Sequence, residues 1–324
     1  MGIKHLNQYL TSHCTEKSIQ SICLETLSGK TVVIDTSIYL YKFIGDNALM
    51  ENMYLFISIL LHYRIQPIFV FDGKPPPEKR DLIHRRTAKK KEAEVQYKQL
   101  KTGFAELSDD DKRDTLAEMD ALKKQFIRVR DEDIRQVKQL MDAYGVNYYD
   151  APAEADLLCV HFVQNGTAYA CISDDMDMFL YGCPRVIRNI SLMKHTAKLY
   201  DTQSILSELS LSEQHFREIM VLSGTDYNIH SVTSLKETLR WFHTYQTYKQ
   251  GALTDNKPPL EFYVWLVRNT KYIQDFMGLL RTYQLFQIQY EKDLEKWDTI
   301  EIVAKRGNCV LLHDIMAKDG FVFV

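Results

Sequence analysis

The sequence predicts an α/β protein whose mostly parallel central sheet carries helices on both faces. Three strand-length runs are apolar almost throughout and rich in β-branched or aromatic residues: TVVID (31–35), PIFVFD (67–72) and AYACISDD (168–175). Helical stretches separate these runs, and buried strands that alternate with helices are typical of a parallel sheet covered on both faces. The segment CPRVIRNIS (183–191) is a fourth candidate strand.

The stretches between these strands have helical patterns. Residues 52–63 are nearly all apolar, which predicts a buried crossover helix. Residues 131–144 place apolar side chains three and four positions apart, and Gly145 supplies the helix stop. Another helix is predicted to begin at Ser212.

Residues 78–130 are predicted to form a helical insertion between the second strand and the next helix of the core. Residues 78–102 contain no Pro or Gly and are polar on most faces, which predicts a protruding helix that Gly103 breaks. Ten Lys or Arg and four Asp or Glu give residues 74–101 a local charge of +6, in a chain of net charge −3. Such a helix either binds phosphates or is a solvated face without a partner.

The composition becomes helical and aromatic after residue 228, with a loop predicted at 251–259 around two prolines. We therefore divide the chain into a core, residues 1–228, which includes the 78–130 insertion, and a helical C-terminal region, residues 229–324.

Composition excludes several classes of protein. With 324 residues, 45% of them apolar and 26% charged, the chain fits a globular protein rather than a disordered or collagen-like one. The longest nearly apolar run, residues 54–63, is too short to span a bilayer, and the first residues lack the apolar core of a secretory signal. The Cys and His spacings predict no zinc site, and no Ser-His-Asp order is visible.

Acidic residues stand where three predicted strands end. Asp35 and Asp72 close the first two runs, and Asp174, Asp175 and Asp177 follow the third. Because the carboxyl ends of parallel strands share one edge of a sheet, these side chains are expected at a common ligand-binding edge. A single Asp in such a place can also be a turn former or a helix cap.

Three further acids can join this group: Glu154 and Asp156 at the start of one helix, and Asp226 after another. Several close carboxylates repel one another unless a cation lies among them. Oxygen ligands without His or Cys favour Mg²⁺ or Mn²⁺ over zinc. Two such ions about 4 Å apart could clamp a phosphodiester for attack by water.

In six segments the chain resembles the flap endonuclease/XPG family of structure-specific 5′ nucleases, which have a PIN-like α/β core. The segments, in the family's order, are MGIKHL (1–6), VVIDTSIYLYKF (32–43), PIFVFDGKPPPEKR (67–80), APAEAD (151–156), SDDMDMFLYG (173–182) and LSGTDYN (222–228). The resemblance implies that seven acids hold two Mg²⁺ ions, for which Mn²⁺ can substitute. They are Asp35, Asp72, Glu154, Asp156, Asp175, Asp177 and Asp226.

The resemblance also implies roles for basic residues. Lys79 and Arg86 match the pair that contacts the scissile phosphate at the base of a helical gateway, and join Asp35, Asp72 and Asp175 as the catalytic set. Their spacing of seven predicts a shared helical face. The residues expected to bind nucleic acid are Gly2, Tyr41, Lys74, Lys79, Arg85, Arg86, Lys89 and Lys90. Tyr41 would stack on a base, although it could instead be a core tyrosine, and packing alone could explain Gly2.

Three features depart from the family's pattern. Asp156 stands where the family usually has Glu. The segment after Asp226, NIHSVTSLKETLRW, lacks the glycine-rich helix–two-turn–helix that grips duplex DNA. The tail ending GFVFV shows no sliding-clamp peptide, so recruitment by a clamp is not supported.

The function implied is a Mg²⁺-dependent flap endonuclease and 5′→3′ exonuclease that cuts DNA near single-strand/duplex junctions in replication, repair or recombination. A 5′ exoribonuclease and a catalytically inactive PIN-like scaffold are the alternatives. The expected partner is DNA with a 5′ flap, a branch or a free 5′ end, and no membrane. We expect an intracellular monomer, in the nucleus or at a cytoplasmic replication site, that is not secreted.

Overall fold

The computed structural model describes residues 3, 5–104, 109–228, 232–254, 258–287, 297, 300, 302–303 and 305–322. The chain divides into two compact units. The first comprises Met1–Ile34, Tyr63–Ile65 and Ala155–Glu301, and the second comprises Asp35–His62, Gln66–Glu154 and Ile302–Val324. This division does not test the predicted boundary at residue 228, which stays a prediction.

Seven strands lie within these described ranges: β1 (Ile19–Cys23), β2 (Thr31–Asp35), β3 (Gln66–Phe71), β4 (Asn147–Asp150), β5 (Ala170–Ile172), β6 (Arg185–Ser191) and β7 (Thr196–Asp201). The α-helices of the same ranges are α1 (Leu6–His13), α2 (Thr36–Gly45), α3 (Leu49–His62), α4 (Arg80–Gly103), α5 (Asp109–Gln125), α6 (Asp131–Tyr144), α7 (Ala155–Gln164), α8 (Thr202–Glu208), α9 (Glu213–Leu222), α10 (Leu235–Thr254), α11 (Phe262–Asn269), α12 (Phe276–Leu285) and α13 (Cys309–Lys318).

The strands of the first unit follow the order β1-β7-β6-β5-β2. Strands β2, β5 and β6 are parallel, with Val33 opposite Cys171 and Cys171 opposite Val186. Strands β7 and β1 complete the sheet in antiparallel pairings. Val33 and Cys171 are fully buried, as expected of strands covered on both faces. The predicted α/β class is confirmed.

The second unit pairs β3 with β4 in parallel, with Phe71 opposite Asp150. Helix α3 packs against β3, and the ring of Phe56 meets that of Phe69 edge-on at 6.2 Å. The predicted buried crossover helix at 52–63 is therefore confirmed, with observed bounds Leu49–His62. Helix α13 packs against α6, where Asn308 N donates to Ala143 O at 2.7 Å.

The predicted insertion is helical, as α4 and α5, which pack along one another. The rings of Tyr97 and Phe126 meet at 5.5 Å, and Arg128 forms an ion pair with Glu94 at 2.9 Å. Ala93 is the buried residue of α4, whose other faces are polar and largely solvated. Gly103 is the last residue of the helix, as predicted from its role as a helix breaker.

Helices α9 to α12 pack in the first unit around an aromatic cluster. Phe242 and Tyr245 of α10 contact Phe262, and Tyr245 and Tyr248 contact Trp265. This packing carries α10 to Thr254, so the predicted loop at 251–259 begins too early. Residues 255–257 lie outside the described residues.

Three strands were not predicted from the sequence: β1, β4 and β7. The sequences IQSIC, NYYD and TAKLYD mix polar and apolar residues and are only partly buried. Edge and antiparallel strands are solvated on one side, so they lack the continuous apolar run that identifies a central parallel strand. Across the described ranges, no helix is both long and apolar enough to cross a membrane.

Candidate active site

Asp72 follows β3 in a loop that is fixed by backbone contacts. Gly73 N donates to Ala153 O at 2.6 Å, and Ala151 N donates to Phe71 O at 2.9 Å. A Cβ on Gly73 would lie 2.1 Å from Ala151 O, so only glycine lets the two segments approach this closely. Since β3 and β4 are parallel neighbours, the segments that carry Asp72 and Glu154 leave the same end of the strand pair.

Lys79 contacts one of the predicted metal acids. Its Nζ lies 2.6 Å from Glu154 Oε1, and the two side chains are 11% and 19% exposed. Lys79 ends a short 3₁₀ turn and caps α4, whereas Arg86 lies within α4 and is exposed. Because α4 begins at Arg80, Lys79 lies at the N-cap rather than inside the helix, and the shared helical face stays a prediction.

Asp35 ends β2 and precedes α2, where it is 5% exposed. It stands at the N-cap position, yet its side chain makes no capping hydrogen bond. The interpretation of this Asp as a simple helix cap is thus not supported. Asp35 belongs with Asp72 and Glu154 to the second unit.

Tyr41 of α2 is 43% exposed, so it is not a core tyrosine. The Nζ of Lys90 lies 4.9 Å from the centroid of its ring and donates to Ile127 O at 2.8 Å. Burial, with Arg128 and Arg86 nearby, lowers the pKa of Lys90. The ammonium of Lys90 therefore holds α4 to Tyr41 and to the segment after α5.

Of the other residues expected to bind nucleic acid, three are exposed and one lies outside the described residues. Lys74, Arg85 and Lys89 are exposed, as contacts to phosphate require. Gly2 lies outside the described residues.

Asp175 and Asp177 lie in the first unit, in a loop that follows β5. Asp175 N donates to Ser173 Oγ, and Asp177 N donates to Asp175 Oδ1, both at 3.1 Å. Asp177 is 1% exposed and begins a 3₁₀ turn, whereas Asp175 is half-buried. These two hydrogen bonds link Ser173 to Asp175 and Asp175 to Asp177, and so restrain the loop.

The remaining two predicted acids also belong to the first unit. Asp156 lies in the first turn of α7 and is 8% exposed. Asp226 lies in a turn after α9, where Asn228 Oδ1 accepts hydrogen bonds from Thr225 N at 2.5 Å and from Thr225 Oγ1 at 2.8 Å. Asn228 was not predicted as a functional residue, although it ends the segment LSGTDYN that carries the resemblance.

The donor chemistry of the seven acids fits a hard divalent cation. All are carboxylates, and Asp35, Asp156 and Asp177 are buried, where charged groups are typically paired or bind a metal ion. No three His, Cys, Asp or Glu side chains form a metal-binding group in the part of the chain that the structure describes. The ligand set therefore stays a prediction.

Comparison with known proteins identifies the family. The chain matches the XPG N-terminal domain over residues 1–93 and the XPG I-region over residues 145–226. It is 30% identical to flap endonuclease 1 of Methanococcus aeolicus over 232 residues, which cover 67% of this chain and 68% of that protein. This chain belongs to the flap endonuclease/XPG family. The resemblance noted in the sequence is thereby confirmed.

Other members of the family match a similar part of the chain. The flap endonuclease 1 of Komagataella phaffii is 31% identical and that of Bos taurus 29% identical, each over 70% of this chain. These matches span 63% and 62% of the two relatives, so this chain covers less than two thirds of their length.

Solved structures of family members share the fold. The catalytic core of Rad2 in complex with DNA substrate has a TM-score of 0.66 and 23% identity, over 99% of this chain and 95% of that one. Human GEN1 in complex with Holliday junction DNA has a TM-score of 0.59 and 19% identity, over 98% of this chain and 73% of that one. At such identities the likeness concerns the fold alone.

Proposed function

We propose that this member of the flap endonuclease/XPG family is a Mg²⁺-dependent structure-specific 5′ nuclease. It hydrolyses DNA phosphodiesters near single-strand/duplex junctions, as a flap endonuclease and a 5′→3′ exonuclease, in replication, repair or recombination. The partner is DNA with a 5′ flap, a branch or a free 5′ end. The chain acts as a monomer, without a clamp-binding peptide, where DNA is replicated in the nucleus or cytoplasm.

The observation that carries this proposal is the arrangement at the ends of β3 and β4. Asp72 and Glu154 leave these parallel strands side by side, and the Lys79 ammonium lies 2.6 Å from Glu154. A cation held beside a carboxylate suits a substrate that is itself an anion, because the lysine can donate to phosphate while the acids hold metal. A purely structural ion pair would not need Asp72 at the same strand end.

Seven acids would hold two Mg²⁺ ions, with Mn²⁺ as a substitute: Asp35, Asp72, Glu154, Asp156, Asp175, Asp177 and Asp226. When bound, the ions neutralise charge on phosphate oxygens and lower the pKa of water. Asp156 is shorter by one methylene than the Glu usual in the family. Mg²⁺ accepts this ligand, since it binds few carboxylates directly and keeps several waters.

The chain's own residues bind and orient the DNA. The exposed basic residues of α4, with Lys74 before it, attract the phosphates of a single-stranded 5′ end, in a way that weakens with salt. Lys79 and Arg86 donate to the scissile phosphate, and Tyr41 stacks on a base beside the cut once Lys90 moves from its ring. Gly2, which lies outside the described residues, is a further proposed DNA contact.

A labelled DNA substrate with a 5′ flap tests the proposal directly. We expect cleavage near the junction with Mg²⁺ or Mn²⁺ and none with EDTA. An RNA substrate of the same structure serves as the control, and preferential 5′ degradation of RNA would favour an exoribonuclease. Binding without cleavage at any divalent ion concentration would instead indicate an inactive scaffold.

Substitution of the acids separates chemistry from binding. Asp175→Ala and Asp177→Ala should abolish cleavage while DNA binding persists, because removal of a carboxylate reduces repulsion of phosphate. Circular dichroism and a binding titration give the controls. Unfolding of both variants would contradict the assignment of these acids to catalysis.

A further inference from the structure

Arg188 of β6 is buried although it carries a positive charge. It is 8% exposed, and its guanidinium lies 5.5 Å from the centroid of the Tyr200 ring. Its Nη1 donates to Asn7 Oδ1 at 2.7 Å, and its Nη2 donates to Asp174 O at 2.8 Å. Tyr200 Oη donates to the same Asn7 oxygen at 2.9 Å. One side chain thus joins α1, β6 and the loop after β5.

The acceptors of Arg188 are an amide oxygen and a carbonyl oxygen, both neutral. The Nε of Arg188 is buried and has no hydrogen-bond partner within the described residues. A buried charged group with an unmade hydrogen bond lowers stability. Stability alone therefore does not explain why a guanidinium occupies this place.

A bulge in β6 adds a second contact to the same loop. The register between β6 and β7 shifts between Arg188 and Ser191, and Asn189 has a left-handed backbone with φ of 54°. In this conformation Asn189 N donates to Asp174 Oδ1 at 2.9 Å. Bulges often re-aim groups beside functional sites. Two neighbouring residues of β6 therefore hold Asp174 by its side chain and by its carbonyl.

Asp174 immediately precedes Asp175, and Asp177 follows two residues later. The carbonyl that Arg188 binds belongs to the peptide bond that leads into Asp175. Displacement of this peptide moves Asp175, and Asp177 with it, since Asp177 N donates to Asp175 Oδ1. The three acids of the loop also repel one another, and a buried cation at their backbone offsets part of this repulsion.

We propose that Arg188 is a positioning residue for the catalytic acids, which fixes the Asp174–Asp177 loop to helix α1 and so sets the affinity for the divalent cation. This inference rests on the proposed function. Arg188 itself does not contact the substrate or the ion. It acts through Asp174, which is a point of attachment for the loop rather than a metal ligand.

The affinity of the DNA-free protein for Mn²⁺, measured by calorimetry or by electron paramagnetic resonance, tests the proposal without cleavage. Arg188→Met keeps the length of the side chain and removes its charge and donors. We expect it to weaken Mn²⁺ binding at least tenfold, and to raise the Mg²⁺ concentration for half-maximal cleavage by a similar factor. Arg188→Lys, which keeps the charge and one donor, should recover part of the affinity.

Arg185→Met is the matched control. Arg185 lies on the same strand, and its Nη1 donates to Tyr169 O at 3.2 Å, away from the acidic loop. Its loss should leave Mn²⁺ affinity within twofold of the wild type. Asn7→Ala, which removes the α1 anchor of Arg188, should weaken Mn²⁺ binding by a smaller factor. This variant tests the same link if Arg188→Met does not fold.

The outcomes separate the two proposals. A wild-type protein that neither binds Mn²⁺ nor cleaves flap DNA would overturn both. An active wild type whose folded Arg188→Met or Asn7→Ala variant binds Mn²⁺ as tightly as the control would overturn the positioning role alone. A change in melting temperature without a change in Mn²⁺ affinity would likewise show that Arg188 is only structural.

Discussion

The two loops that carry acids after β3 and after β5 are fixed in different ways. The loop at Asp72 is held by its backbone, because Gly73 lets the chain pack directly on the segment before Glu154. The loop at Asp175 is held by side chains, with Arg188 and the bulge at Asn189 both bound to Asp174. The first arrangement depends on the absence of a side chain, and the second depends on the presence of a buried one.

This difference predicts how each loop responds to change. Backbone packing has no tolerance for added volume, so the loop at Asp72 should fail together with the fold of its unit. Hydrogen bonds from long side chains can adjust or be replaced in part. The loop at Asp175 should therefore lose its precise geometry before the protein loses its fold.

The largest effect is expected from Gly73→Ala. The new Cβ would lie 2.1 Å from Ala151 O and 2.9 Å from two atoms of Pro152, all in the backbone, so one segment must move. We expect a loss of at least about 3 kcal/mol in the free energy of unfolding. Urea denaturation measures this loss, and flap cleavage should disappear with it.

Gly103→Ala is the control for this substitution, because a Cβ on Gly103 would meet nothing within 4 Å. The free energy of unfolding of this variant should lie within about 1 kcal/mol of the wild-type value, since alanine is favoured over glycine in a helix. Equal stability of the two alanine variants would refute the account of the Asp72 loop.

The next largest effects concern Lys79 and Arg86. Each substitution to Ala should lower the single-turnover rate by orders of magnitude, since charge-stabilising donors contribute roughly 3–4 kcal/mol to a transition state. Only Lys79→Ala should also lower stability, by about 1–3 kcal/mol, because it removes the 2.6 Å ion pair from a Glu154 side chain that is only 19% exposed. A change in rate of less than about threefold in both variants would exclude the gateway role.

Glu218 of α9 contrasts with Glu154, since it is buried and forms no ion pair within the described part of the chain. It is 5% exposed, its Oε1 accepts from Gln214 Nε2 at 3.0 Å, and its Oε2 is buried without a hydrogen-bond partner in the described residues. Burial above all, with a smaller contribution from Glu261, raises the pKa of Glu218 to about 7 against the opposing effects of Gln214 and Lys249. The folded protein therefore favours the protonated acid.

Between the unfolded pKa of about 4.3 and the folded pKa of about 7, the folded state binds the extra proton, so stability falls as pH rises. Glu218→Gln removes this titrating group. The free energy of unfolding of the variant, relative to that of the wild type, should therefore increase by up to about 3 kcal/mol as the pH rises from 4 to 8. Denaturation midpoints across this range measure the difference. Parallel pH profiles of the two proteins would show that Glu218 titrates normally.

The smallest effect is expected at Lys90, midway along α4. Lys90→Ala removes the donor to Ile127 O and the cation above Tyr41, which should cost about 1 kcal/mol. Lys91→Ala is the control, because Lys91 is exposed on the same helix. Equal free energies of unfolding for the two variants would show that Lys90 does not hold α4 in place.

The central strands and the acids at their ends were predictable because burial on both faces leaves a continuous apolar run in the sequence. The antiparallel strands β1 and β7 were not, since a half-solvated strand such as TAKLYD mixes polar and apolar residues. Among the site residues, Asp35 and Asp177 were predicted as metal ligands from the sequence, but only the structure showed that both are buried. The contacts of Arg188 and Asn228 could not be predicted, because they join residues far apart in the sequence or depend on a turn.

The sequence by itself determined the α/β class, the family and the acids at the strand ends, because each depends on residue types within short segments. Only the tertiary structure decided that Lys79 contacts Glu154, that Gly73 is required by a neighbouring backbone, and that Arg188 holds the loop of Asp175. Lys79 and Glu154 are 75 positions apart in the sequence, and the distance between such residues is set by packing rather than by local preference.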